Sequence, residues 1–392
     1  MSGSPRPSLE EAICSDLAAV EAAGFWRELR EIESAQEPSV VLRGREVLLF
    51  CSNNYLGLAN HPEVVEASRE AAARYGASAG SSRLISGHMR AHRELEDQIA
   101  AWKQVEAALV FSTGYQANLG TITALTGRDD VVLSDELNHA SIIDATRLSK
   151  ATTRVFAHND LGQLEQLLRE SEGARRVLVV TEAIFSMDGD AAPLAEMARL
   201  TRRYGAWLMV DEAHSAGIFG KRGAGLVEEL GLADSVDVRV GTLGKALGSF
   251  GAYVAGSREL VDLLINRARS FIFTTGLPPS VVAAAGAAIE ICQREPERAA
   301  GLRRRVRVIA DRLRAAGLAV PEAESQILPV TLGDADRTVA CMRDLLERGV
   351  YVAAIRPPTV PAGTSRLRFS VMATHSQDQL ERAADALIGS LG

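Results

Sequence analysis

A chain of 392 residues, 47% of them hydrophobic and 24% charged, has the composition of a globular protein large enough for two or three domains. Its net charge of −7 at pH 7 offers no basic footprint for nucleic acid, and no window approaches the roughly eighteen consecutive apolar residues that predict a membrane-spanning helix. The four cysteines are widely spaced without a CxxC pair, which argues against a disulfide framework or a zinc site. We expect a cytoplasmic protein that acts on small molecules, with no nucleic-acid or membrane partner and no metal.

Three segments with different patterns follow one another along the chain. Residues 1–48 have a helical pattern and are predicted to pack on the rest of the chain or on a second subunit. Residues 49–285 contain short apolar runs, such as RRVLVVTE and AWLMVDE, that alternate with helical stretches, which predicts an α/β domain with a largely parallel sheet. Residues 286–392 combine a long Arg- and Ala-rich helical pattern with the runs ILPVTL, YVAAI and RLRFSVM, which predicts a smaller α+β domain.

Polar residues cluster where the apolar runs of the middle segment end. They occur at residues 112–115, 182–186, 211–214 and 242–245. Ligands of open α/β sheets bind beyond the carboxyl ends of the strands. The sequence therefore predicts that these four segments converge on one pocket.

Lys245 lies among glycines in VGTLGKALGSFGA, directly after an apolar run. Most lysines are exposed loop residues, and that alternative applies here. However, flanking glycines allow close approach of a planar ligand, and an apolar setting lowers the pKa of an amine, as a lysine that attacks a carbonyl requires. A phosphate-binding P-loop would need glycine in place of Arg239 and Ser or Thr in place of Ala246, so that interpretation fails.

Asp211 closes the apolar run WLMVD, so its carboxylate is predicted to stand at the end of a buried strand, where it needs a partner. A pyridinium nitrogen is one such partner, while a metal ion or the start of a helix are alternatives. If a pyridinium ring pairs with Asp211, His214, three residues on, could reach a phenolic oxygen on that ring. The letters DEAH at 211–214 also match a helicase motif. A helicase would need a P-loop upstream, which the sequence lacks, and the chain is acidic, so this interpretation is not supported.

A possible phosphate site lies at Ser112, Thr113 and Gly114, where an apolar run is followed by a helical pattern. Backbone N–H groups at a helix N-terminus bind phosphate, although many helices begin in this way. Thr242 offers a second hydroxyl near Lys245. A histidine such as His139, in LNHASI, is more often structural than functional.

Nine segments in order resemble the α-oxoamine synthases, a branch of the fold-type I pyridoxal-phosphate enzymes. They are NNYLGLANHP, GSSRLISG, STGYQAN, NHASIID, EAIFSMDGDAAPL, VDEAHSAGIFG, GTLGKALGSFGAY, FTTGLPP and AIRPPTVPAGTSRLRFS. The resemblance implies a large domain with a mostly parallel seven-stranded sheet flanked by helices, a smaller α+β C-terminal domain, pyridoxal 5'-phosphate (PLP) as cofactor, and a homodimer with shared active sites.

The resemblance also implies a role for each matching residue. Lys245 matches the lysine that carries the cofactor and moves the substrate proton. Asp211 matches the partner of the ring nitrogen and His139 the imidazole stacked on the ring, and together with His214 these residues form the catalytic set. Ser186 and His214 match groups near the phenolic oxygen. The ring and phosphate positions are Gly114, Tyr115 and Thr242, with Thr274 and Thr275 supplied by the other subunit.

On the substrate side, Arg368 matches the guanidinium that binds the amino-acid carboxylate, and Asn53, Thr359 and Arg27 match further binding positions. The implied reaction joins an amino acid to an acyl thioester with loss of CO2. The segments AIRPPTVPAG and SMDGDAAPL favour L-alanine and a pimeloyl thioester, on coenzyme A or an acyl carrier protein, in biotin biosynthesis. The alternatives are sibling enzymes of the 2-amino-3-ketobutyrate ligase, 5-aminolevulinate synthase and serine palmitoyltransferase types, and, from another class, a DEAH-type ATPase.

Overall fold

A computed structural model describes residues 6–322 and 325–391 of the chain. Its first element is helix α1 (Leu9–Ala22), which begins with a capping box in which Ser8 and Glu11 satisfy each other's backbone N–H groups. No residue of α1 is buried within this chain. The helix is therefore stabilised by its capping box and its local sequence, and not by burial of its apolar side chains within this chain.

A β-hairpin follows α1, with strands β1 (Ser39–Leu42) and β2 (Arg45–Leu49). Its two-residue turn, Arg43 and Gly44, has positive φ at both positions, the geometry that matches the twist of a tight hairpin. Because α1 ends at Ala22, the prediction of a helical segment over residues 1–48 is wrong beyond that residue, and from Ser39 onward valine-rich alternation favours half-buried strands. Residues 1–5 of that segment lie outside the described residues.

A seven-stranded sheet forms the centre of the molecule, as predicted. Its strands lie in the order β3-β9-β8-β7-β6-β4-β5. Only β9 runs antiparallel to its neighbours, while the other pairs are parallel. The strand bounds are β3 Ala107–Phe111, β4 Val131–Asp135, β5 Thr152–Phe156, β6 Val177–Glu182, β7 Trp207–Asp211, β8 Val238–Thr242 and β9 Ala252–Gly256.

Helices cover both faces of this sheet, which explains why its strands read as nearly continuous apolar runs. Along β7, Leu208 and Val210 pack into one apolar cluster and Met209 into the cluster on the opposite face. The helix bounds are α2 Pro62–Tyr75, α3 Arg90–Lys103, α4 Gly114–Leu125, α5 Ala140–Ser149, α6 Leu161–Glu170, α7 Leu194–Tyr204, α8 Leu226–Glu229, α9 Arg258–Arg267, α10 Arg269–Ile272 and α11 Pro279–Arg294.

The C-terminal part is smaller and mixes helices with an antiparallel sheet, as predicted. That sheet has the strand order β10-β13-β12, and β11 pairs with β2 of the N-terminal hairpin. The bounds are α12 Pro296–Ala315, β10 Ile327–Gly333, α13 Ala335–Glu347, β11 Val350–Tyr351, β12 Ala353–Ile355, β13 Ser365–Ser370 and α14 Gln377–Leu391. The boundaries at residues 48 and 285 stay a prediction. Among the described helices, none combines the length and apolar character needed to cross a bilayer.

Two strand ends of the central sheet and one strand of the C-terminal sheet meet at the same place. Glu182 and Asp211 are paired in register at the carboxyl ends of β6 and β7. Arg368, on β13, donates through Nε to the backbone oxygen of Ser186, just beyond β6, at 2.5 Å. The crevice predicted beyond the strand ends is therefore closed on one side by the C-terminal part.

Candidate active site

Lys245 is half-buried in the turn that follows β8. Gly248, in the same turn, has φ +61°, and a Cβ added there would lie 2.3 Å from the backbone nitrogen of Ala59. Glycine is therefore required for the turn to pack this closely. The turn directs Lys245 Nζ to within 2.8 Å of His214 Nε2.

The chain contains four lysines, and the other three lack the surroundings of Lys245. Lys103 is buried but forms an ion pair with Glu212 and donates to the oxygen of Ala224. Lys150 and Lys221 are exposed to solvent. Lys245 is thus the lysine that combines access, a strand-end position and a neutral hydrogen-bond partner.

Two titratable groups beside each other have pKa values moved toward neutrality. Removal from water lowers the pKa of Lys245 to about 8, and the charge of Arg368 adds to this, whereas Asp211 and Glu182 oppose it. Burial, together with the charge of Asp211, raises the pKa of Glu182 to about 8. An amine with such a pKa can exchange protons near neutral pH.

Asp211 is buried, and both of its carboxylate oxygens are hydrogen-bonded. Oδ2 accepts from Asn118 Nδ2 at 2.8 Å and Oδ1 from the Ala213 backbone N–H at 2.9 Å. Asp211 thus caps the turn that follows β7, one of the alternatives considered above, while its carboxylate interacts with Lys245. Glu212, the second letter of the DEAH string, forms a buried ion pair with Lys103, which lies in helix α3 and not in a nucleotide-binding loop.

His214 joins Lys245 to a buried tyrosine. Its Nδ1 lies 2.8 Å from Tyr55 Oη, on the opposite side of the ring from the contact with Lys245. Burial lowers the pKa of His214 well below its usual value, and the charges of Lys245 and Arg368 add to the effect. His214 is therefore a neutral imidazole at physiological pH.

Arg368 is buried at the C-terminal side of the same cluster. Besides its contact with Ser186, it donates to Ser370 Oγ at 2.8 Å and to Tyr55 Oη at 3.2 Å, and its Nη1 lies 3.5 Å from Asn53 Oδ1. A guanidinium has five N–H groups, and four of them point to these partners. One N–H of Nη2 therefore remains for a carboxylate, and the N–H of Nη1 toward Asn53 is engaged only at 3.5 Å. Arg368 and Asn53, both predicted on the substrate side, are thus brought together.

His139 and Ser186 lie on the remaining sides of the cluster. His139 is the N-cap of α5, with Nδ1 accepting from the backbone N–H of Ser141 at 3.2 Å, and its ring is exposed within this chain. The pKa of Glu182 responds to the backbone amides of His139 and Ser186, so all three residues are neighbours. An exposed ring beside Asp211 and Lys245 leaves a face for a planar ligand.

The predicted phosphate positions gather around the N-terminus of α4. Thr113 caps this helix by accepting from the N–H of Gln116 at 3.1 Å, which leaves the N–H groups of Gly114 and Tyr115 for an anion. Thr242 uses its hydroxyl internally, donating to Gly251 O at 3.1 Å. Thr274 and Thr275 were predicted to serve the other subunit. Within this chain, Gln116 Nε2 lies 3.4 Å from the hydroxyl of Thr274, and Thr275 is exposed.

Arg27 and Thr359 do not join the Lys245 cluster. They line a separate cavity of about 960 Å³ between the N-terminal segment and the C-terminal sheet, together with Arg30 and Tyr351. Burial raises the pKa of the Cys51 thiol to about 12, while the charges of Arg368 and Arg30 both oppose the rise. Cys51 is therefore close enough to both Arg30 at this cavity and Arg368 of the Lys245 cluster to feel their charges.

Three residues of the cluster were given no role from the sequence: Tyr55, Asn118 and Glu182, the last of which begins the segment 182–186 that was predicted to reach the pocket. Tyr55 follows Asn53 in the segment NNYLGL, and Asn118 ends the segment STGYQAN, so both lay within quoted motifs. Their contacts with His214 and Asp211 join residues far apart in sequence. For Glu182 the available signal was a carboxylate at the end of a buried strand, the same signal that singled out Asp211.

Comparison with known proteins identifies the family. The sequence model of the family described as aminotransferase class I and II matches residues 45–387. The chain belongs to this family. Within it, the 8-amino-7-oxononanoate synthase of Geobacter sulfurreducens is 52% identical over 382 residues, which cover 97% of each chain. The resemblance to the α-oxoamine synthases, and with it the predicted fold class, is confirmed.

Two solved members of the aminotransferase class I and II fold cover nearly the same length. A serine palmitoyltransferase variant from S. paucimobilis, solved with PLP and myriocin bound, has a TM-score of 0.92 and 33% identity over 98% of both chains. An 8-amino-7-oxononanoate synthase from Francisella tularensis has a TM-score of 0.77 and 27% identity, covering 88% of this chain and 98% of its own. The fold thus matches enzymes of this family that act with PLP.

Proposed function

We propose that this chain is a PLP-dependent acyltransferase that joins L-alanine to a pimeloyl thioester, releasing CO2 and the thiol carrier and forming 8-amino-7-oxononanoate for biotin biosynthesis. The observation that carries the proposal is the continuous hydrogen-bonded path from Lys245 through His214 and Tyr55 to Arg368. It joins a group that can move a proton to a group that can hold a carboxylate. The relatives at about half identity named 8-amino-7-oxononanoate synthase favour this substrate pair over those of the sibling enzymes.

The residues present fit PLP. Lys245 supplies an amine of lowered pKa for the aldehyde, and Asp211 supplies a buried carboxylate for the ring nitrogen. The exposed ring of His139 can stack on the cofactor, and the N–H groups of Gly114 and Tyr115 can hold its phosphate. His214 and Ser186 stand where the phenolic oxygen would be held. When bound, PLP supplies an electron sink for negative charge at the α-carbon of an amino acid.

Within this arrangement Asp211 and Lys245 have distinct tasks. Asp211 is oriented by Asn118 and Ala213, and its negative charge would keep the ring nitrogen of bound PLP protonated. Lys245, with a pKa of about 8, takes the proton from the α-carbon and returns a proton later in the cycle. The neutral His214 beside it holds Nζ in place without adding a competing charge.

Arg368 holds the amino-acid carboxylate until it leaves as CO2. The remaining N–H of Nη2, with the N–H of Nη1 that Asn53 contacts only at 3.5 Å, suits a two-point contact with a carboxylate, while Ser186, Ser370 and Tyr55 fix the plane of the guanidinium. Asn53 contacts the same guanidinium and lines the site on this side. The bond that will break is thus kept in a fixed orientation.

The part of the thioester that lies away from its reacting carbonyl is assigned to the cavity that contains Arg27 and Thr359, because this cavity does not include Lys245. Its volume of about 960 Å³ is large enough for that part. Arg27 and Arg30 offer positive charge for the free carboxylate of a pimeloyl chain. Coenzyme A and an acyl carrier protein present the same pantetheine arm, so the proposal includes both carriers.

The active form is a cytoplasmic homodimer in which Thr274 and Thr275 complete the partner's phosphate site. Large apolar side chains close to the site are exposed in the single chain, among them Ile85 at 81%, Phe250 at 52% and Phe273 at 69%. Exposed apolar surface of this kind marks association sites. A second copy covering Phe250 and Phe273 would also lie beside Lys245 and Thr274.

The substrates are tested by mass spectrometry of the products. L-alanine, glycine and L-serine are each incubated with the PLP-loaded protein and pimeloyl, acetyl, succinyl or palmitoyl thioesters. We expect 8-amino-7-oxononanoate from L-alanine and the pimeloyl thioester, at a rate above all other pairs. Turnover of glycine with acetyl- or succinyl-CoA, or of serine with palmitoyl-CoA, in the absence of that product would overturn the assignment.

Replacing Arg368 by lysine tests its role. Lysine keeps the charge but lacks the planar fork, so we expect the KM for L-alanine to rise roughly 100-fold and the KM for the thioester to change little. The matched control is Arg366→Lys on the same strand, because lysine can keep the ion pair of Arg366 with Asp188. Equal effects of both substitutions on the alanine KM would contradict the role of Arg368.

A further inference from the structure

Tyr55 is fully buried, and its hydroxyl contacts three side chains from distant parts of the sequence. The hydroxyl lies 2.8 Å from His214 Nδ1, 2.9 Å from Asn53 Oδ1 and 3.2 Å from Arg368 Nη2. Burial raises the pKa of Tyr55, so its hydroxyl stays protonated. This one oxygen therefore connects the proton-carrying side of the site with the carboxylate-binding side.

The donors and acceptors around Tyr55 determine the tautomer of His214. Arg368 can only donate, and the carbonyl oxygen of Asn53 can only accept, so the single proton of Tyr55 goes to Asn53. Nδ1 of His214 must then carry a proton and donate it to the tyrosine oxygen. Nε2 is left as an acceptor, and Lys245 Nζ donates to it across 2.8 Å.

We propose that Tyr55 is a positioning residue that fixes the tautomer of His214 and the orientation of Arg368, and so aligns the proton carrier with the carboxylate site. This inference deepens the proposed function and rests on it for its catalytic consequence. Its structural core, the tautomer of His214, depends only on this chain's own residues. The role of Tyr55 is distinct from that of a catalytic residue, since it acts through His214 and Arg368.

Removing the hydroxyl in Tyr55→Phe has two expected effects. Arg368 loses an oriented partner, so the KM for L-alanine rises about tenfold or more while the KM for the thioester is kept. His214 Nδ1 loses the oxygen that accepts its proton, so the tautomer protonated on Nε2 becomes favoured. In that tautomer Nε2–H donates to the neutral amine of Lys245. The pKa of Lys245 then falls from about 8 to about 7.

The second effect is measured without cofactor or turnover. Full-length protein stripped of PLP is acetylated competitively across a pH range, and the peptide that contains Lys245 is quantified by mass spectrometry. Asp211, Glu182, His139, His214 and Arg368 face this amine, and none of them is substituted in the variant. Tyr253→Phe is the matched control, because Tyr253 is also fully buried but its hydroxyl has no hydrogen-bond partner among the described residues.

We expect Tyr55→Phe alone to shift the labelling curve of Lys245 to lower pH and to raise the alanine KM. A labelling curve that coincides with that of Tyr253→Phe overturns the inference, and so does an unchanged alanine KM. If no thioester and amino acid yield a ketone at all, the proposed function fails. The labelling curve then still decides whether Tyr55 sets the tautomer of His214.

Discussion

Replacement of Lys245 by alanine is expected to lower the rate of ketone formation on the order of 10³-fold or more. In the proposed mechanism one side chain would bond to the cofactor and also move the α-proton, and a positioned general base alone contributes roughly 10² to 10⁴ in rate. The substitution removes a half-buried amine whose pKa is about 8 and leaves His214 without its donor. The measurement is single-turnover product formation with purified protein.

Lys221→Ala is the control for this experiment. Lys221 also lies between glycines, in FGKRGAG, but is exposed and has no place in the cluster. We expect native turnover and a native visible absorption band of the cofactor in this variant, and loss of both in Lys245→Ala. Comparable activity of the two variants would show that the catalytic amine lies elsewhere.

Asp211→Asn is expected to reduce kcat roughly 10³-fold, since electrostatic groups preorganised in a dry site contribute this much each. Asparagine has the shape of aspartate and can still accept from Ala213, but it has no charge to keep a ring nitrogen protonated. The charge of Asp211 also raises the pKa of Lys245, so the labelling curve of Lys245 in the variant should move to lower pH. Both the rate and the labelling curve are measurable on the same protein.

The exposed Asp262→Asn provides the control for loss of one negative charge. It should leave kcat and the labelling of Lys245 unchanged. A kcat for Asp211→Asn within a few-fold of the native value would contradict the role of the carboxylate. So would a loss of activity accompanied by unfolding, which thermal denaturation of the two variants would reveal.

The central sheet was predictable because its strands are covered on both faces and so appear as apolar runs ended by polar residues. The hairpin at Ser39–Leu49 was not, because two short strands after a helical stretch depend on pairing with β11, more than 300 residues away. A local sequence pattern contains no information about a strand partner so far away in the chain. The valine-rich alternation and the tight turn at Arg43 and Gly44 were the local signals of the strand pair.

The same limit applies to the site. Lys245, Asp211 and His214 could be identified from the segments that surround them and Arg368 from the family resemblance, and the structure brings the four together. Tyr55 could not, because its importance lies in joining His214 to Arg368, and neither contact is visible in the chain order. The separate cavity around Arg27 and Thr359 likewise depends on how the N-terminal segment meets the C-terminal sheet.

The most direct test of the account is to locate the covalent bond to the cofactor. The PLP-loaded protein is reduced with borohydride and digested, and each lysine peptide is examined by mass spectrometry. Because the chain has only four lysines, far apart in sequence, the modified lysine can be identified from its peptide. The account predicts the reduced cofactor on Lys245 alone, and a label on Lys103, Lys150 or Lys221 in its place, or on none of the four, would contradict it.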